Sequence, residues 1–121
     1  DIVVSVLPLT PETTGIMNAG FFAMLADGAF IINGGRGPQV DDDDLLAALD
    51  SGKLGGAALD VFTVEPLPQD HPFWTHPKVR VWPHVAAQTN ATSAAEQVAA
   101  AITAMMDGSE PANRVDGSRG Y

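Results

Sequence analysis

Arg36 lies among glycines, in GGRG, directly after the apolar run AFIIN. A guanidinium in that setting can hold a carboxylate with two parallel hydrogen bonds, and flanking glycines let backbone or ligand come close. Glu65 stands just beyond the run GGAALDVF, beside Pro66, and Asp60 falls near the end of that run. Acidic residues at the carboxyl ends of strands in parallel sheets often meet a ligand. His84 follows Pro83 at the end of VRVW. An imidazole can give a proton to a developing alkoxide, and a nearby carboxylate would hold its orientation. Each residue also has an ordinary reading. Arg36 could be an exposed turn arginine, Asp60 and Glu65 loop charge, and His84 a hydrogen-bonded structural histidine.

Other chemistries find no support. His71 and His76 fall in a proline-rich stretch and read as peripheral. The histidines lack metal-ligand spacing, and HExxH, GxSxG and P-loop patterns are absent, so no metal site is expected. The cluster GGRG is not a GxGxxG. With no cysteine there is no disulfide, thiolate metal site or cysteine nucleophile.

The elements that must position these residues follow from periodicity and breakers. Ile2 to Leu7 is a β-branched apolar run ended by Pro8, the pattern of a fully buried parallel strand. Pro8 and Pro11 mark a loop. Residues 17–25 predict a short helix capped by Asn18, and Asp27-Gly28 a turn. Ala29 to Asn33 reads as a second buried strand. Asp41 to Ser51 predicts the clearest helix, opened by four consecutive aspartates that suit free N–H groups, with Leu45, Leu46 and Leu49 on its apolar face. Gly52 stops it, and Lys53 is expected near its negative end. Gly55 to Phe62 and Val79 to Trp82 read as further strands. Thr92 to Met106 predicts an alanine-rich helix with Val98, Ile102, Met105 and Met106 on one stripe, and Gly108 ends it.

Strands alternating with helices predict a parallel α/β sheet. The loops after Leu7, Asn33, Asp60 and Trp82 should then share one edge, where such sheets bind ligands. The length of 121 residues suits one domain, and 45% hydrophobic residues indicate a globular chain. The net charge of −9 argues against nucleic acid and anionic membrane surfaces as partners. No apolar stretch is long enough to span a membrane. DIVVSVLPLT reads as an interior strand, so a fragment is expected.

Taken together, VLPLTPETTGIMN, INGGRGPQVDDDDLLAALDSGKLGGAALDVFTVEPLP and HPKVRVWPHVAAQT resemble the D-isomer-specific 2-hydroxyacid dehydrogenase family. The stretches cover the chain up to about Thr92. DDLLAALDSGK, the EPLP turn, PHVAA and the ending VDGSRGY are most similar to its bacterial glyoxylate/hydroxypyruvate reductase A branch. The resemblance implies the C-terminal half of a Rossmann-like doubly wound parallel sheet, plus a C-terminal helix that returns to the substrate domain. Residues 1–90 would belong to the nucleotide-binding domain and 91–121 to that helix and tail. The ending implies that the absent part is N-terminal.

By the same resemblance, Arg36 binds the substrate carboxylate and polarises the ketone, His84 donates the proton, and Glu65 pairs with His84. Leu7, Pro8 and Thr13 would line the cofactor, Gly34, Gly35 and Arg36 would approach it, and Asp60, His84, Ala86 and Ala87 would lie at the nicotinamide end. The implied cofactor is NADPH, with NADH as the alternative. The implied substrate is a small 2-keto acid, glyoxylate or hydroxypyruvate, handled by a cytoplasmic homodimer. A non-catalytic nicotinamide-sensing protein like the related corepressors, an inactive truncated fragment, and a different 2-hydroxyacid such as phosphoglycerate remain open. Gly34-Gly35 departs from the bulkier or alanine-containing pairs common in the family, which implies a looser Arg36 loop. Thr63-Val64 replaces a frequent acidic residue.

Overall fold

The computed structural model describes residues 1–117. The chain divides into two compact units, Asp1–Ala86 and a second beginning at Ala87. The last four residues of VDGSRGY lie outside the described residues.

In the first unit, β1 (Ile2–Ser5), β2 (Ala29–Asn33), β3 (Leu54–Leu59) and β4 (Val79–Val81) form a parallel sheet in the order β1-β2-β3-β4. The register aligns Ser5 with Asn33, Asn33 with Leu59, and Leu59 with Val81. All four strands therefore end on one row, and their following loops leave from the same edge. The parallel α/β reading of the sequence is what the chain adopts.

Helix α1 (Ala19–Met24) starts where Asn18 accepts the Phe21 N–H at 3.2 Å. Helix α2 (Asp42–Asp50) starts where the Asp41 carboxylate accepts the Asp44 N–H at 3.0 Å. Asp44 in turn accepts the Ala19 N–H at 2.7 Å, so the acidic first turn of α2 also satisfies a free donor of α1. Gly52, at φ 80°, turns the chain after α2. Lys53 does not serve that helix end. Its Nζ reaches back to the Leu25 carbonyl (2.6 Å) and Asp27 (2.8 Å). The α2 carbonyl of Leu49 receives Lys78 Nζ instead.

Phe22, Ile31, Leu45, Leu49, Leu54, Leu59 and Phe73 are fully buried between the sheet and its helices. The opposite sheet face is different. Ile2 is 66% exposed, Val4 57% and Phe30 49%. The expectation of a fully buried first strand is therefore corrected: within β1 only Ser5 is buried. β1 is an edge strand, and the core lies on one face of the sheet. On the open face the Phe30 ring lies over Gly55 and Gly56, where a Cβ would come within 3.0 and 2.7 Å of it.

The proline-rich segment after β3 is tied to α2 at both ends. His71 Nε2 lies 3.6 Å from Asp42, and His76 Nε2 lies 3.3 Å from Asp50. In the second unit, α3 (Ala91–Met106) is capped by Asn90, which accepts the Ser93 N–H at 3.1 Å. It has no buried residue, so the stripe of Val98, Ile102, Met105 and Met106 is exposed. No helix among the described residues is long and apolar enough to cross a membrane.

Candidate active site

The loops that leave the carboxyl edge carry the residues singled out from the sequence. His84 Nδ1 lies 2.8 Å from Glu65 Oε2. The other oxygen, Oε1, accepts the Phe62 N–H at 2.9 Å. Glu65 is thus fixed to its own backbone turn, whose Glu65–Pro66 peptide bond is cis. The hydrogen bond from His84 and that from Phe62 hold the Glu65 carboxyl below its ordinary value, with smaller contributions from the charges of His84 and Arg36. An ionised carboxylate only accepts, so Nδ1 carries the shared hydrogen, and Nε2 is the nitrogen able to exchange a proton with a ligand.

The His84 backbone adopts φ 57°, a left-handed conformation uncommon outside glycine. Asp60 holds it there. Its carboxylate is buried and accepts the Val85 N–H at 2.8 Å and the Ala86 N–H at 2.9 Å. Asp60 therefore fixes the segment that follows β4, with each oxygen engaged by backbone.

Arg36 approaches from the loop after β2. Its Nη1 donates to the Gly35 carbonyl at 2.7 Å, and its charge is felt at Glu65. This loop is not loose, contrary to the inference from Gly34-Gly35. Gly34 N–H bonds Ser5 O at 2.9 Å, Gly35 N–H bonds Asn33 Oδ1 at 3.1 Å, and Arg36 N–H bonds Gln39 Oε1 at 3.1 Å. Gly37 is where the Arg36 loop passes against the Phe62–Thr63 backbone. A Cβ on Gly37 would sit 1.9 Å from Phe62 C and 2.3 Å from Thr63 N, so no other residue permits that approach.

Leu7 and Pro8 follow β1, and both of their carbonyls accept from Gln39 Nε2 at 3.0 Å. Thr13 Oγ1 donates to the Pro8 carbonyl at 2.7 Å. Gly34, Asp60 and Ala86 line one cavity of about 350 Å³, together with Asn33, Trp82 and Val85 among others. Glu65 and His84 line a second of about 660 Å³, whose walls include Phe62, Leu67, Trp74, Val81 and Trp82. The segment from Trp82 to Ala86 is a wall of both. Ala87 begins the second unit. No cluster of side chains suited to a metal ion occurs among the described residues.

Sequence reasoning missed the buried amides, Asn33 and Gln39. Asn33 had a signal. The alternation of β2 puts Ala29, Ile31 and Asn33 on the inward face, and a polar residue there at a strand's carboxyl end needs a partner. Gln39 had none, because a buried glutamine in a loop looks like a solvated one.

Residues 1–86, the first unit, match the family described as D-isomer specific 2-hydroxyacid dehydrogenase, NAD binding domain. Glyoxylate/hydroxypyruvate reductase A of Serratia proteamaculans (strain 568) is 52% identical over 120 residues, which are 99% of this chain and 38% of that protein. The chain thus spans well under half the length of that curated relative. The D-isomer specific 2-hydroxyacid dehydrogenase of Xanthobacter autotrophicus Py2, solved with NADPH and MES, is 49% identical with a TM-score of 0.94, over 99% of this chain and 50% of that one. The NADPH-dependent glyoxylate/hydroxypyruvate reductase of Sinorhizobium meliloti, solved with NADP and sulfate, is 43% identical with a TM-score of 0.93, over 100% of this chain and 40% of that one. A four-stranded parallel sheet whose carboxyl edge gathers Arg36, Glu65 and His84, and this extent of sequence and backbone likeness, place the chain in the D-isomer-specific 2-hydroxyacid dehydrogenase family.

Proposed function

We propose that the complete protein carrying this chain reduces a small 2-keto acid, glyoxylate or hydroxypyruvate, using NADPH, with NADH as the alternative. The observation that carries the reading is the His84–Glu65 pair at 2.8 Å, with Glu65 locked by the Phe62 N–H and Arg36 close enough to act on its charge. Glu65 keeps Nδ1 occupied, so His84 delivers its proton from Nε2 to the ketone oxygen. Arg36 takes the substrate carboxylate in its fork and stabilises charge on the reacting group.

The cavity lined by Gly34, Asp60 and Ala86 lies in the volume range of small-ligand sites and suits the nicotinamide end of a dinucleotide. Leu7, Pro8, Thr13, Gly34, Gly35, Arg36, Asp60, His84, Ala86 and Ala87 would hold that end. The cofactor, when bound, supplies the hydride. No residue pattern within these 121 residues offers a GxGxxG turn for the pyrophosphate. In this reading residues 1–90 belong to the nucleotide-binding domain, 91–121 join the substrate domain, and the complete protein works as a cytoplasmic homodimer.

The test is consumption of NADPH by the complete protein in the presence of glyoxylate, beside hydroxypyruvate and a phosphorylated hydroxyacid. Turnover on either of the first two supports the proposal. Binding of the cofactor with no turnover on any 2-keto acid would sink it in favour of a sensing role.

A further inference from the structure

Gln39 is fully buried, and it ties two site loops together with every hydrogen-bonding position an amide has. Nε2 donates to the Leu7 and Pro8 carbonyls, each at 3.0 Å. Oε1 accepts the Arg36 backbone N–H at 3.1 Å and the Ser5 hydroxyl at 3.2 Å. A primary amide has two N–H donors and one oxygen with two lone pairs, so this set is complete.

The contact is close on both sides. A Cβ on Gly35 would stand 2.5 Å from Gln39 Oε1 and 3.0 Å from the Leu7 carbonyl oxygen. The Gln39 backbone is held separately, its N–H by Arg36 O at 3.2 Å and its carbonyl by Met17 N–H at 2.9 Å. Shortening the side chain or replacing its amide therefore breaks the tie and leaves the turn its own bonds. Asn33 does not duplicate it. Asn33 bonds Gly35 N–H and Arg36 O, both on the Arg36 side.

We propose that Gln39 is a positioning residue that sets the Leu7–Pro8 loop and Arg36 as one unit, so that dinucleotide and keto acid are held in register. The inference rests on the reading of Arg36 and of Leu7–Pro8 given under the proposed function. Two replacements break the tie differently. Gln39→Glu keeps both acceptor bonds but loses both donors and sets a carboxylate against two carbonyl oxygens. Gln39→Met keeps the length and loses all four bonds, leaving the Leu7 and Pro8 carbonyls and the Arg36 N–H without that partner.

The test is steady-state kinetics and calorimetric NADPH binding on the complete protein, with glyoxylate as the keto acid. Gln39→Glu should raise the KM and Kd for NADPH about tenfold or more while moving the glyoxylate KM by less than about threefold. Gln39→Met should raise both KM values about tenfold or more. Should Gln39→Met not fold, Gln39→Asn, one methylene short, should show the same double rise. A folded Gln39→Glu protein with unchanged NADPH binding, or with equal rises for both ligands, overturns the proposal. Arg36→Lys is measured alongside. An unchanged glyoxylate KM there would overturn the reading of Arg36 itself, whatever Gln39 does.

Discussion

His84 combines a demanding backbone with an exposed ring. A left-handed conformation costs an L-residue about 1–2 kcal/mol, and Asp60 and Glu65 hold it in place from either side. Stability and chemistry should therefore separate at this position. His84→Gly should be more stable than His84→Ala by about 1 kcal/mol, read from urea unfolding of the chain, because glycine adopts this φ without strain. Both substitutions should cut kcat of the complete protein by about 10²–10⁴, the range expected when a general acid is removed. Near-normal turnover by either variant would contradict the role given to His84. Glu65 has a pH signature of its own. Its carboxyl is depressed by the hydrogen bonds from His84 and Phe62. A depressed carboxyl contributes stability that is present above its unfolded value and is lost as pH falls through its folded value. The pair should thus persist through the neutral range and break only on acidification below ordinary carboxylate values. A carbon NMR titration of the Glu65 carboxyl checks this, and an ordinary or raised midpoint would contradict it.

At the scale of elements, two glycines of the loop after β2, Gly34 and Gly37, have different duties. Gly34 has room for a Cβ, whose nearest neighbours would be Ala86 Cβ at 3.5 Å and Ser5 O at 3.9 Å, and its φ is not positive. Gly34→Ala should stabilise the chain by about 0.4–1 kcal/mol through the unfolded state. Gly37→Ala meets the Phe62 carbonyl group at about 2 Å, and should destabilise by about 3 kcal/mol or more as the Arg36 loop is pushed away. Paired thermal melts test the contrast, and equal effects would refute it. How the sequence announced these elements explains what it left out. The β2 run AFIIN marked its own limits, and Asn18 and Asp41 marked the helix starts, because capping and apolar runs are local signals. That Arg36, Glu65 and His84 would stand on loops at one sheet edge was legible because each follows a strand. Burial was less legible. β1 read as enclosed, yet its side chains alternate between a covered and an open face, and apolar content alone does not say which face has a neighbour. Lys78, not Lys53, reaches the end of α2 because side-chain reach depends on where the turns point. Gln39 was silent because its partners lie up to 34 residues away.

For the whole molecule, the site set and the binding site are not the same thing. The 121 residues hold Arg36, Glu65 and His84 but no glycine-rich turn for a pyrophosphate, and the net charge of −9 opposes an anionic ligand. The isolated chain should therefore bind NADPH poorly and fail to turn over glyoxylate. Calorimetry on the purified chain decides it, and micromolar binding would contradict it. The open face carrying Ile2, Val4, Phe30 and Ile32 should make the isolated chain self-associate, as sedimentation at several concentrations would show. A strictly monomeric chain would refute this. The order β1-β2-β3-β4 has one more consequence, for synthesis on the ribosome. Each strand docks beside the one made just before it, so the sheet can lengthen sideways as the chain emerges, and His84 leaves the exit tunnel after Arg36 and Glu65. Until Val79–Val81 arrives, the Ala57–Leu59 segment is an unpaired edge, an inviting template for a neighbouring nascent chain. Slow codons placed just before β4 should for that reason lower the yield of native protein more than the same codons placed after it.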